Sequence, residues 1–275
     1  KGQVSDGMVL NQKGISLQEA GRLNEAEVFF RKALSVSPDL ASVHCNLGGL
    51  LCALDRADEG LVELEKALEL DPLSEAALNN YASALEQLGR ITTASTVLKK
   101  AHGLYPTSTL VSFNYARILI IEKRFPQAHK LLEELVRVEP LNGEALHGLG
   151  LACMGLDDVD GARSALQKAV QVMPGNAIFW YDLGNACMDL SDWSGAASSY
   201  QRSLKLAPDY HGAILNLGIV LLELHDFSGS MKCIECALQQ DSSDWQVWMA
   251  LGKLHFSSGE LEDALAAYNR AVALV

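Results

Sequence analysis

Apolar side chains recur along this chain in two short helical registers. The pair of registers repeats every 34 residues without one insertion or deletion. With Gly7 as position 1, eight units begin at Gly7, Ala41, Glu75, Thr109, Gly143, Ala177, His211 and Trp245. Positions 4, 7, 8 and 11 of a unit lie on one helical face, as do positions 20, 24 and 27. Position 7 is Leu or Tyr in seven units, among them Leu47, Tyr81, Leu149 and Leu251. Position 24 is large and apolar in all eight: Phe30, Leu64, Leu98, Leu132, Leu166, Tyr200, Ile234 and Tyr268. The pattern predicts two amphipathic helices per unit, A and then B, and sixteen in all.

Two further positions are small in every unit. Position 8 is Gly or Ala throughout, including Gly14, Gly48, Gly150, Gly184 and Gly252, and position 20 is Ala, Gly or Ser, including Ala26, Gly60, Ala162 and Ser230. Antiparallel helices approach closely only where side chains are small, so these positions predict where A crosses B. A larger side chain there would overpack at roughly 1–3 kcal/mol. Pro38, Pro72, Pro106, Pro140, Pro174 and Pro208 close six units at position 32. Proline cannot extend a helix and disfavours helical backbone in the residue before it. Pro126 falls in the first turn of a helix B, where its missing N–H costs nothing. A fixed period of this length is the signature of a stacked solenoid, in which each unit buries its apolar face only against its neighbours.

The units match the Trp/Leu-Gly-Tyr-Ala-Phe-Ala-Pro skeleton of the tetratricopeptide repeat (TPR), with Trp180 and Trp248 at its Trp place. The chain resembles that family over residues 7–275. The resemblance implies an all-α fold, an α-solenoid in the form of a right-handed superhelix of eight helix-turn-helix repeats. It also implies A helices lining a concave groove, and protein or peptide binding with no chemistry of the chain's own. The expected organisation is a leader over 1–6 and one continuous array over 7–275. Its repeats run 7–40, 41–74, 75–108, 109–142, 143–176, 177–210, 211–244 and 245–275.

Composition narrows the partners. The net charge is −12, concentrated in places: residues 41–74 hold two basic and seven acidic residues, and residues 211–244 hold one and five. Nucleic acid and anionic membranes need clustered Lys and Arg, so neither is expected as a partner. No apolar run approaches the ~20 residues of a membrane span. Six thiols in a helical core point to a reducing compartment, and the expected location is the cytoplasm. Cys153 and Cys187 hold position 11 of helix A, as small core hydrophobes do. Cys233 and Cys236 lack the further ligands of a metal or redox site, and the seven His show no paired metal spacing, so no metal, cofactor or catalytic residue is expected.

Helix A packs through positions 4, 7, 8 and 11, which leaves positions 2, 5, 6, 9, 12 and 13 facing the groove. Position 6 reads Gln12, Asn46, Asn80, Asn114, Gly148, Asp182, Asn216 and Ala250. An Asn amide can pair with a peptide N–H and C=O together. The row resembles the asparagine ladder in the TPR superhelix of O-linked N-acetylglucosamine transferases, interrupted by Gly148, charged at Asp182 and ended at Ala250. The same row could equally serve packing between repeats. The other groove positions are polar or small in the first three repeats and turn apolar from the fourth, with Phe113, Ile120, Met154, Tyr181, Met188 and Leu222 as the expected apolar contacts. The first three repeats place no Lys or Arg at these positions, and Arg117 and Lys253 stand four repeats apart. A clamp for an acidic carboxylate terminus is therefore not expected.

The expected function is a protein–protein interaction scaffold that takes a peptide or protein segment in its groove. Two alternatives remain open at this point. One is the substrate-recruiting arm of a larger enzyme, such as a protein glycosyltransferase, since the chain starts at Lys1 rather than Met and stops on an apolar helix. The other is self-association through the last repeat, whose Leu261, Leu265 and Val272 have no following helix to cover them.

Overall fold

The computed structural model describes residues 2–275, with side chains from Ser5 onward. Sixteen α-helices and no strand occur among the described residues. The fold divides into two compact units, one ending at Leu135 and the other running from Val136 to Val275. The first holds α1 (Gly2–Glu19), α2 (Leu23–Val36), α3 (Ala41–Ala53), α4 (Ala57–Leu70), α5 (Glu75–Gln87), α6 (Ile91–Leu104), α7 (Thr109–Ile121) and most of α8 (Phe125–Val138). The second holds α9 (Gly143–Met154), α10 (Val159–Val172), α11 (Ala177–Asp189), α12 (Trp193–Leu206), α13 (His211–Glu223), α14 (Phe227–Gln240), α15 (Trp245–Ser258) and α16 (Leu261–Leu274). Odd-numbered helices are the A helices, and those from α3 onward start at intervals of 34 residues. Residues 2–6, set apart from the repeats by sequence, are helical within α1. Lys1 lies outside the described residues.

Local chemistry starts and stops these helices. Ser74, Ser108, Asn142, Asn176 and Asp244 cap A helices by accepting a backbone N–H from the first turn. Asp158, Asp192 and Asp226 cap B helices by accepting the N–H of Gly161, Gly195 and Gly229, at 3.0, 3.0 and 2.9 Å. Each A helix ends the same way. The N–H at position 16 bonds the carbonyl at position 11, as in Arg56 to Leu51 and Asp226 to Leu221. The residue between turns left-handed, which is the Schellman stop.

That left-handed residue is position 15 in all eight repeats: Gly21, Gly89 and Gly259, but also Asp55, Lys123, Asp157, Ser191 and His225, with φ between 57 and 62° for the five. A side chain in this conformation costs roughly 1–2 kcal/mol. Lys123→Gly is therefore expected to raise stability by about 0.5–1 kcal/mol, the relief of strain being partly offset by glycine's greater chain entropy. Urea unfolding followed by circular dichroism checks it. A less stable glycine variant would show that the turn is not strained.

The A–B crossing is where position 8 meets position 24. A Cβ added at Gly14 would sit 2.5 Å from the Phe30 ring, at Gly150 2.5 Å from Leu166, and at Gly252 2.5 Å from Tyr268. Ser230 stands at a crossing where most repeats have Ala, and its hydroxyl is satisfied by the Gly218 carbonyl at 2.8 Å. In the first unit Phe30, Leu47, Leu50 and Leu51 build one core cluster around Ala26 and Ala33. In the second, Leu166, Phe179 and Tyr200 anchor one cluster, and Ile214, Leu222, Ile234 and Leu254 another.

A side chain at position 4 ties three repeats back to the carbonyl that closes the repeat before. Trp180 Nε1 donates to Pro174 O and Trp248 Nε1 to Ser242 O, both at 2.9 Å, and His44 Nε2 meets Pro38 O at 2.8 Å.

Candidate functional site

The faces of the A helices not used for packing carry the candidate site, and each unit has its own. In the first, Asn46 Nδ2 donates to Asn11 Oδ1 at 3.0 Å, Asn80 Nδ2 to Cys45 Sγ at 3.6 Å, and Asn114 Nδ2 to Asn79 Oδ1 at 2.6 Å. In the second, Asp182 Oδ2 meets His147 Nε2 at 2.7 Å. There Asn216 Nδ2 reaches Tyr181 Oη at 3.4 Å and Asn185 Oδ1 at 3.0 Å. Every rung but the Asn185 bond joins position 6 to position 5 of the preceding repeat, 35 residues away. The ladder is thus an inter-repeat tie. Gly148 and Ala250 carry no side-chain group that could make such a bond.

The tie uses one amide N–H of Asn46, of Asn80 and of Asn114. The side-chain oxygens of Asn46, Asn80 and Asn114 accept no hydrogen bond among the described residues, and the three side chains are half-buried. They remain able to meet a bound backbone. The position-5 partners Asn11, Cys45, Asn79 and His147 were not foreseen as a set, although a spacing of one repeat plus one residue in the sequence contains the signal.

The apolar candidates divide. Phe113, Ile120, Met154, Tyr181 and Met188 are half-buried and keep part of their surface. Tyr181 packs against Tyr210 with the rings tilted by 43° and their centroids 4.8 Å apart. Leu222 does not belong with them. It is 4% exposed, in the cluster that holds Leu215, Ala250 and Leu254. The small Ala250 at position 6 leaves room for α13 and α15 to close over it, so it offers no surface to a ligand. Exposed Ile178, Met249 and Phe256 extend the apolar row.

Both groove cations have local partners. Arg117 makes a two-pronged pair with Glu86 at 2.5 and 2.6 Å, and Lys253 pairs with Glu223. His147 stacks on Phe179 with centroids 4.2 Å apart while it meets Asp182. Burial pushes up the Tyr200 phenol, deep beneath Tyr181 and Asn216, far above its usual range. Burial likewise raises the thiols of Cys45, Cys52, Cys187 and Cys233, which keeps them as protonated packing groups.

His255, Glu260 and Asp263 bring their ligand atoms within 4.8 Å of one another. His255 sits half-buried against Glu260. Glu260 and Asp263 occupy the N-cap and first turn of α16, where carboxylates answer the helix's partial positive charge.

His211 supplies a pH-dependent tie at the start of α13. Burial pulls its pKa down, but bonds to Asp244 at 3.0 Å and Gln240 at 2.9 Å, with the charges of Asp244 and Asp241, outweigh that and raise it above 6.5. A raised folded-state value means the stabilisation is full below the ordinary range and is lost as pH rises through the folded value. The tie is therefore expected to weaken as pH rises through that raised folded value, by less than about 1 kcal/mol because the group is partly exposed. Comparing unfolding midpoints of parent and His211→Gln from pH 5.5 to 8.5 checks this: the gap between them should narrow as pH rises, and a constant gap removes the account.

No helix among the described residues is long and apolar enough to cross a membrane. Family models described as tetratricopeptide repeat match residues 53–109, 122–171, 154–211 and 215–275, and a second model of the same description matches 8–37. No curated protein matches the sequence. Among solved structures, MamA of Desulfovibrio magneticus RS-1, from residue 41 to its end, is 25% identical. The match covers 62% of this chain and 96% of that one, with a TM-score of 0.56. The pilF protein of Pseudomonas aeruginosa is 23% identical, with 78% and 97% covered and a TM-score of 0.68. The Cut9–Hcn1 hetero-tetramer of the APC/C is 16% identical, with 96% and 52% covered and a TM-score of 0.69. The last two likenesses are of fold alone.

Proposed function

We propose that this chain, which belongs to the tetratricopeptide repeat family, is a protein-interaction scaffold that holds a peptide or protein segment against the exposed faces of its A helices. The observation that carries the reading is the row of apolar side chains left in contact with solvent on α9, α11 and α15: Leu151, Met154, Ile178, Met188, Met249 and Phe256. Contiguous apolar surface on a monomer marks interaction sites, and methionine gives such a surface the adaptability to fit a side chain it meets. In the first unit the half-exposed amides of Asn46, Asn80 and Asn114 support contact with a partner's backbone, which depends little on sequence. The reading gives the chain no catalytic step.

Photo-crosslinking tests it. A photoreactive phenylalanine analogue at Ile178 or Met249 is expected to trap a partner in extracts of the source cells, and the same group at exposed Glu235 on α14 is not. Trapping from Glu235 alone would place binding on the B helices and end the groove reading.

A second reading, self-association, rests on α16, where Leu261, Leu265 and Val272 are exposed in one row. Burying a large apolar side chain is worth roughly 1.5–3 kcal/mol, and a second copy offers the same row in return. Sedimentation across a hundred-fold range of concentration, with Leu265→Glu as the control, decides it. A strictly monomeric parent removes this reading.

A further inference from the structure

We infer that the A-helix face of residues 136–275 selects a basic partner segment, one with a Lys or Arg on each side of a short apolar run. This rests on the groove reading above and adds the chemistry of the occupant. The unit carries eight Lys and Arg against seventeen Asp and Glu, so −9 of the chain's −12 lies here. What matters is where the uncommitted charge sits. On the groove face, Asp182 is taken by His147 and Glu223 by Lys253. Glu144 and Asp189 are exposed and make no hydrogen bond or ion pair among the described residues. They are the two carboxylates that a bound segment can answer.

Their placement sets a spacing. Ties join each A helix to the next near both ends, 35 residues apart for His147–Asp182 and Tyr181–Asn216, and 31 and 30 apart for Asn185–Asn216 and Glu223–Lys253. Partners about one repeat apart at both ends mean that successive A helices lie side by side and run in the same direction. Glu144 is the second residue of α9 and Asp189 the last of α11. One helix length and one helix spacing therefore separate them, roughly 20 Å at 1.5 Å per residue and 8–10 Å between axes. Leu151 and Met154 on α9 and Ile178 and Met188 on α11 share these two helix faces. An extended segment covers that span in about six residues. Apolar anchors would occupy the floor while the two cations meet the carboxylates at its edges. An acidic segment would meet repulsion at both ends, with Lys253 already neutralised by Glu223.

Three labelled synthetic peptides test this on the full chain by fluorescence anisotropy. They share a central Leu/Phe-containing run and differ at two positions six residues apart, which are both Lys, both Ser or both Glu. The Lys peptide is expected to bind at least ten-fold tighter than the Ser peptide, and the Glu peptide more weakly than either. The preference should shrink between 50 and 300 mM salt, because such contacts are screened. Glu144→Lys with Asp189→Lys should reverse the order of the Lys and Glu peptides, while Glu235→Lys on α14 should leave it unchanged, with circular dichroism recording that each variant is folded. Equal affinity of the Lys and Ser peptides overturns the proposal, as does a loss from Glu235→Lys as large as that from the groove pair. If Ile178→Asp abolishes binding of all three peptides while charge has no effect, the charge proposal fails and the groove reading stands. If neither Ile178→Asp nor the charge pair changes binding, both fail.

Discussion

Replacing Tyr200 by alanine is expected to destabilise the second unit by about 3–5 kcal/mol, the largest effect of any single substitution considered for this chain. The ring is fully buried on α12 and seats over Gly184, where an added Cβ would come 2.5 Å from it. Its hydroxyl donates to Asn185 Oδ1 at 2.8 Å and lies 3.4 Å from Asn216 Nδ2. Alanine would leave a cavity lined by helices tied on either side, which can collapse only in part, and would remove a hydrogen-bond partner from two groove-facing amides. Tyr200→Phe keeps the volume and loses only the hydroxyl's bonds, so about 1 kcal/mol is expected. Urea titrations of both variants measure the difference. If the two lie within 1 kcal/mol of each other, cavity formation is not what holds α11 to α12.

Ile178→Asp combined with Met249→Asp is expected to weaken binding of a groove partner by about 2–4 kcal/mol, some 30- to 1000-fold, while leaving the fold intact. Both side chains are exposed, 53% and 41%, so their loss costs the free protein little. An aspartate there must be desolvated when an apolar anchor docks, and that penalty appears only in the complex. Calorimetry with a photo-trapped partner, beside unfolding midpoints, measures it. Asn46→Ala with Asn114→Ala behaves differently, because both amides also tie neighbouring repeats. Each lost bond should cost about 0.5–1.5 kcal/mol of stability even without a ligand. Full affinity in the Ile178 and Met249 variant would move the binding site off the A helices.

The architecture was legible because the period is strict. Glycine or alanine at position 8 and a large side chain at position 24 place the crossing in every repeat, and proline at position 32 ends each helix B that has one. The left-handed stop at position 15 was present as Gly21, Gly89 and Gly259, but it was hidden where Asp55, Lys123, Asp157, Ser191 and His225 take the same conformation. The tertiary setting overrides residue preference there, since the backbone bond from position 16 to position 11 closes whatever stands between.

The candidate site was legible only as a set of positions. Sequence placed Asn46, Asn80, Asn114, Asp182 and Asn216 on the open face of helix A, and a helical period suffices for that. Which atoms they spend was decided by stacking, which brings position 6 beside position 5 of the repeat before and commits amide N–H groups of the four Asn to that tie. Leu222 shows the same division. Its register is that of Met154 and Met188, and the periodicity cannot separate them. Burial depends on how closely the next A helix approaches, and Ala250 sets that approach one repeat away. Sequence by itself determined the repeat, its two helices and their crossing, because those follow from contacts within one unit. The tertiary structure decided which groove side chains stay open, because that depends on the distance between neighbouring units.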